Sequence, residues 1–284
     1  TLSSSSAASD VYKRQISTRV AAAEAGDVLL EVRDLSWQSG DPFGTSLKHI
    51  NLDLHQGEIV GIAGVAGNGQ DELLKALSGE IRSARDSLSF GGVGIGALKP
   101  DQRRRLGVAI VPEERLGRGA VPGMTLAENA LLTASSQGLV DRGMIRFGKV
   151  REFSREVIRQ FGVRCTGEDS TAASLSGGNL QKYIIGREAL QNPKLLVASH
   201  PTWGVDVGSA VAIHEALVRL RDEGASILLI SEDLDELFQL CGRIGAICNG
   251  RLSPLAPTAD LTIEQLGEWM AGGFDNREAT HAAA

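Results

Sequence analysis

The residue types best suited to chemistry fall in two glycine-rich stretches. Leu175-Ser176-Gly177-Gly178-Asn179-Leu180-Gln181-Lys182 runs into an uninterrupted helical segment from Asn179 to Leu190. Its two glycines leave backbone N–H groups at a helix N-terminus with no Cβ in the way. Ser176 adds a hydroxyl, and the helix dipole adds roughly half a positive charge. That combination suits a phosphate. The second stretch, Gly64-Val65-Ala66-Gly67-Asn68-Gly69-Gln70-Asp71, lies between a strand-like and a helix-like segment. This is the setting in which a G-x-x-x-x-G-K-[ST] phosphate loop works. Gly64 and Gly69 match the pattern, but Gln70 stands where the lysine belongs and Asp71 where the hydroxyl belongs. A charge-assisted hydrogen bond contributes about 1.5–3 kcal/mol, so losing the lysine weakens phosphate binding about ten- to a hundredfold. Asp71 adds repulsion unless Mg²⁺ lies between it and the phosphates.

Elements around these stretches follow from local pattern. Val28–Val32, Ile50–Leu54 and Glu58–Ala63 read as strands, the last feeding the glycine loop and a helix to about Leu77. Gly91–Gly96 reads as a flexible turn, Pro100–Arg105 as a short helix and Val108–Val111 as a buried strand leading into Glu113-Glu114-Arg115. Leu126–Thr133 and Val150–Phe161 read as helices. After the break at Asn192-Pro193, Leu195–Ala198 is a short buried strand. Ala210, Ile213, Leu217 and Leu220 mark the inner face of a helix, and Ile227–Ile230 is a second buried strand. Asn249-Gly250 predicts a hairpin within Arg243–Leu252, and Thr262-Ile263-Glu264-Gln265 a capping box opening a last helix to Met270.

The 284 residues, 42% of them hydrophobic, suffice for one large α/β domain. No run of about 18 apolar residues spans a membrane. A net charge of −6, with Arg103-Arg104-Arg105 the densest basic cluster, argues against nucleic acid as the main ligand. Cys165, Cys241 and Cys248 lack metal-ligand spacing and read as small core residues in a reducing compartment, the cytosol. Residues 1–15 match no pattern downstream and read as a non-native or disordered leader. Residues 16–27 read as a linker and 274–284 as a disordered tail. Trp37 or Phe43 could stack on adenine, though a core or edge position is the reading favoured for each.

The order of LSGG, helix, strand, Pro201-Thr202, Asp206 and strand, preceded by the glycine loop, resembles the nucleotide-binding domain of ATP-binding-cassette (ABC) transporters over about Val28–Gly273. The resemblance implies an α/β P-loop NTPase domain at residues 28–273, with a mixed sheet core, an antiparallel β subdomain and an inserted helical subdomain at about 116–174. It also implies roles for single residues. Glu113 stands where a glutamine usually meets Mg²⁺ and the attacking water. Ser199 and His200 stand where the Mg²⁺-ordering Asp and the general-base Glu belong, Asp206 at the Asp between paired domains, and Glu232 at the switch histidine.

These departures are most similar to the C-terminal half of tandem ATPases that energise bacterial importers of simple sugars and nucleosides, the nucleoside branch in particular. In such a pair each ATP lies between one domain's phosphate loop and the other's LSGG. The resemblance therefore implies that Ser176, Gly177, Gly178, Asn179 and Gln181 complete a competent site in trans. The lysine, Mg²⁺ ligand and catalytic Glu of that site would come from an N-terminal half. The chain's own loop, Gly64, Gly67, Asn68, Gly69, Gln70 and Asp71, would bind nucleotide weakly and hydrolyse little. ATP and Mg²⁺ are the implied cofactors. Membrane permease subunits, and through them a solute-binding lipoprotein, are the implied partners, at the cytoplasmic face of the bacterial inner membrane. A non-hydrolysing ABC-like regulatory or scaffold protein is the alternative class.

Overall fold

The computed structural model describes residues 26–274; the leader 1–15, nearly all of the linker and the tail from 275 lie outside the described residues. The chain divides into two compact units, one comprising residues up to Arg103 and from Ser226, the other Arg104–Ala225. The first unit opens with β1 (Val28–Trp37), β2 (Leu47–His55) and β3 (Ile59–Ala63), then α1 (Gln70–Ser78), β4 (Leu88–Phe90) and β5 (Val93–Gly94). Helix α2 (Pro100–Leu106) carries the chain into the second unit. That unit contains β6 (Val108–Val111), α3 (Leu126–Ala134), β7 (Val140–Asp141), β8 (Met144–Ile145), α4 (Phe147–Gln160), α5 (Gly177–Ala189), β9 (Leu195–Ser199) and α6 (Val207–Asp222). The chain returns through β10 (Ser226–Ser231), α7 (Leu234–Leu240), β11 (Arg243–Cys248), β12 (Arg251–Leu252), β13 (Ala256–Pro257) and α8 (Ile263–Met270).

In the first unit, β1 pairs antiparallel with β2, setting Leu30 against Leu54, Val32 against Leu52 and Leu35 against Ile50, all buried. This alternation buries one face, as period-2 patterning requires. β4 and β5 extend the same antiparallel sheet in the order β2-β1-β4-β5. Gly91–Gly96 therefore does not act as a plain turn: Gly91 and Gly92 turn the chain and Val93-Gly94 pairs back onto β4. Elsewhere in this unit β3 lies between β10 and β11, parallel to both. Its sequence Ile-Val-Gly-Ile-Ala is buried throughout, as is Ser-Ile-Leu-Leu-Ile-Ser in β10. Strands covered on both faces need continuous apolar runs, not alternation. β12 and β13 add antiparallel neighbours to β11, so the sheet is mixed. Asn249 and Gly250, both at positive φ, make the expected hairpin, and Thr262 with Gln265 forms the expected capping box. Cys241 and Cys248 are buried, and burial pushes the Cys241 thiol well above its usual range. Phe43, between β1 and β2, is 96% exposed, which excludes the core option and leaves the edge and stacking ones.

The arginine run is not a basic patch. Arg103 is 1% exposed, and its guanidinium donates to the carbonyls of Ala76 at 2.5 Å, Leu77 at 2.8 Å, Gly96 at 3.0 Å and Leu98 at 3.2 Å. It closes the C-terminus of α1, where the dipole favours a cation. Burial lowers its pKa to about 10. Arg103→Met is expected to destabilise the chain by about 3 kcal/mol, because buried carbonyls lose their donors. A lower denaturation midpoint at unchanged slope is the expected result.

In the second unit β6 and β9 are parallel, pairing Val108 with Leu195 through Val111 with Ala198. Leu126, Val157, Val163 and Tyr183 form a buried cluster that joins α3, α4 and α5. The Tyr183 hydroxyl donates to the Leu126 carbonyl at 2.5 Å and lies 2.9 Å from Ser154 Oγ, and burial pushes its pKa up to about 12. Among the described residues no helix is long and apolar enough to cross a membrane.

Candidate functional site

The glycine loop springs from the end of β3 and enters α1 through Gly69, whose φ of 114° is costly for any residue with a Cβ. No side chain caps that helix. Instead Gln70, 5% exposed, folds back into the loop. Its Oε1 accepts from Asn68 N–H at 3.0 Å and its Nε2 donates to the Val65 carbonyl at 2.8 Å. Glu232 Oε1 accepts from Ala66 N–H at 2.6 Å. Thr45 Oγ1 donates to the Gly67 carbonyl at 2.6 Å, and Asn68 Oδ1 accepts from Asn249 N–H at 2.9 Å. The loop is thus held by this chain's own side chains, and two of its amide donors already have acceptors. Asp71 is paired with Lys75, one turn on, at 2.5 Å. In this conformation the N–H groups of Ala66 and Asn68 are engaged by Glu232 and Gln70.

The Ser176 stretch is built differently. Helix α5 starts at Gly177, two residues earlier than the sequence pattern predicts, with Ser176 at the N-cap position and no side-chain cap. Asn179 explains this: its Nδ2 donates to Ser176 Oγ at 2.9 Å while its Oδ1 accepts from Arg164 N–H at 2.9 Å. The Ser176 oxygen thus accepts from Asn179, a bond that does not use the hydroxyl proton. Ser176 and Gly177 are exposed, whereas Gly178 is buried. A Cβ at Gly178 would lie 2.7 Å from Ser209 Oγ and 2.9 Å from Asp206 Oδ2, so only glycine lets α5 approach the start of α6 this closely. Asp206 caps α6 by accepting from Ser209 Oγ at 2.7 Å and Ser209 N–H at 3.0 Å, and those bonds hold its carboxyl below the usual range.

Gln181 is fully buried and cannot itself reach a surface ligand. Its Oε1 accepts from Arg115 Nε at 3.2 Å. Arg115 Nη1 lies 2.9 Å from where a Gly177 Cβ would be. A half-buried guanidinium therefore underlies the open helix end and adds to its positive potential, burial lowering its pKa from the free value without removing the charge.

Ser199 ends β9 at 3% exposure, and His200 follows at φ 48°, a left-handed geometry uncommon among non-glycine residues but more accessible to histidine than to most. Ser199 Oγ lies 3.0 Å from His200 Nδ1, and Glu113 Oε2 lies 3.4 Å from the same nitrogen. One ring nitrogen faces both groups, so this is not the relay in which the two imidazole nitrogens serve hydroxyl and carboxylate separately. Among the described residues no group of three or more His, Cys, Asp or Glu is arranged to hold a metal ion.

Sequence reasoning missed Gln70 as a loop fastener, Glu232 as a loop acceptor and Arg115 beneath Gly177. The short spacing from Gln70 to Val65 and Asn68 was visible in principle. Glu232 and Ala66 are 166 positions apart and carry no local signal.

The ABC transporter family model matches residues 47–203, more than half of the chain. The nucleoside import ATP-binding protein NupA of Lactococcus lactis subsp. cremoris is 40% identical over 260 residues, covering 91% of this chain and 51% of that protein. The guanosine import ATP-binding protein NupO of Bacillus subtilis is 35% identical over 268 residues, covering 93% and 52%. The chain spans about half the length of these curated relatives. The dimeric post-hydrolysis structure of the ATP-binding cassette MJ0796 bound to ADP and Pi superposes with a TM-score of 0.70 at 19% identity, over 81% of this chain and 99% of that one; this likeness concerns the fold.

Proposed function

Because this chain belongs to the ABC transporter family, we propose that it is one ATP-binding half of an importer for nucleosides or simple sugars. Its part is to supply the Ser176–Asn179 segment in trans to nucleotide held by a partner half. One observation carries this reading: the Ser176 helix end is open and underlain by a cation, whereas the chain's own glycine loop is closed. A phosphate presented from outside would meet the Ser176 hydroxyl and the uncapped N–H groups of α5, and the Arg115 charge behind them. Mg²⁺ would offset phosphate charge at such a composite site. Its ligands, together with the lysine and general base, would come from the N-terminal half, because Gln70, Ser199 and His200 do not provide them. Asp206, held as the cap of α6, would face the partner beside Gly178. Permease subunits and a solute-binding lipoprotein would complete the assembly at the cytoplasmic face of the membrane. The similarity to NupA and NupO, described as nucleoside and guanosine import proteins, favours nucleosides as the solute class.

The chain alone is expected to hydrolyse essentially no ATP, and turnover is expected to appear when it is mixed with the separately expressed N-terminal half. Steady-state phosphate release measures both. Turnover by the chain alone at the level of an intact transporter ATPase would refute the reading. A mixture that associates but stays silent would make the scaffold class the better description.

A further inference from the structure

We infer that Glu232 is an internal anion of the glycine loop, occupying a phosphate donor and thereby closing this loop to nucleoside triphosphates. The inference deepens the reading above and rests on its premise that Gly64–Asp71 is the family's nucleotide-binding loop.

The placement follows from strand register. β10 and β3 are parallel neighbours with Ser231 opposite Ala63, so Glu232 and Gly64 leave adjacent strands at the same edge of the sheet. Everything beside Glu232 is fixed. Ser231 Oγ donates to the buried Glu236 carboxylate at 2.7 Å and accepts from Asp233 N–H at 3.1 Å, while Asp233 Oδ1 caps α7 by accepting from Glu236 N–H at 3.2 Å. The Glu232 side chain leaves this pinned corner and takes the Ala66 N–H at 2.6 Å. Hydrogen bonds to a carboxylate are strong, and the like charge of an incoming phosphate is repelled. Gln70 Oε1 claims a second donor, Asn68 N–H, and a triphosphate must displace both acceptors. The neutral Gln70 is only part of the obstruction. Replacing the missing lysine does not by itself open the loop, because the carboxylate remains on Ala66.

The test is binding of MgATP to the full chain, by titration calorimetry, for the parent, Glu232→Ala, Glu232→Gln, Gln70→Lys and the double variant Gln70→Lys/Glu232→Ala. Glu232→Ala is expected to tighten binding at least about tenfold, in keeping with removal of one charged competitor for an amide donor. Glu232→Gln, which keeps the length and the acceptor but not the charge, is expected to fall between parent and Glu232→Ala and guards against a folding defect. Gln70→Lys alone is expected to gain less than the double variant gains over Glu232→Ala. Equal MgATP affinity in parent, Glu232→Ala and Glu232→Gln, with all three melting cooperatively, would overturn the inference, as would no detectable binding in any variant. The readout concerns the isolated chain's own loop, whereas the trans reading is judged by turnover of the mixture, so either can fail without the other.

Discussion

Under the proposed trans arrangement, Ser176→Arg is expected to lower ATP turnover of the chain mixed with the N-terminal half of a relative by about a hundredfold, the range seen when an oriented donor is lost from a charged transition state. Ser176 sits exposed at the N-terminus of α5, and its hydroxyl oxygen accepts from Asn179 Nδ2, leaving its proton to donate. A long side chain there obstructs the helix end and removes the hydroxyl. It also brings a second guanidinium toward Arg115, so the variant's cation is driven away from the ideal phosphate position. The fold should be untouched, because Ser176 is exposed and does not cap the helix with its side chain. The expected signature is lost turnover with an unchanged melting temperature. A variant that melts normally and turns over ATP at the parent rate would show that the Ser176 end of α5 is not at the reacting nucleotide.

Glu188→Leu is expected to cost about 3–5 kcal/mol of stability, the usual penalty for breaking a buried ion pair on one side. Glu188 is completely buried on α5. Arg104 Nη1 reaches its Oε2 at 2.6 Å and Arg187 Nε its Oε1 at 2.9 Å. Arg187, nearly as buried, also donates to the carbonyls of Asn129 at 3.2 Å and Gly119 at 2.9 Å, so this carboxylate organises the packing of α3 against α5. Burial by itself would raise the Glu188 pKa, yet the charges of Arg187 and Arg104 outweigh it and hold the carboxyl below its usual range. A depressed folded pKa gives stability that is complete above the unfolded value, about pH 4.3, and is lost as acid titrates the group through its lower folded value. Denaturant unfolding should therefore show the largest gap between parent and Glu188→Leu near neutral pH, closing in acid. A gap that stays constant down to pH 2 would assign the cost to packing alone.

Legibility in the sequence tracked the distance over which each feature is decided. The Asn249-Gly250 hairpin and the Thr262–Gln265 capping box were readable because turn and cap chemistry is settled within four residues. The apolar runs of β3, β9 and β10 were readable because a strand buried on both faces is apolar along its middle, with serines confined to its ends. Whether Phe43 lay in the core or at an edge was not legible, because hydrophobicity does not say whether anything covers a residue; at 96% exposure it is not in the core. The strand at Val93-Gly94 was missed because two residues carry no periodicity.

Local sequence determined that this protein has two glycine-rich helix entries, one lacking the phosphate-loop lysine and one with a serine before its glycines. Which entry is open was decided by the tertiary structure. Parallel register brings Glu232 onto Ala66 from 166 positions away and shuts the first. Asn179 and the Gln181–Arg115 contact leave the second uncapped and backed by a cation. The physical reason is that backbone N–H groups have no side-chain identity of their own. Whether they are spent within the chain or left for a ligand depends on which acceptor folding places within hydrogen-bond reach.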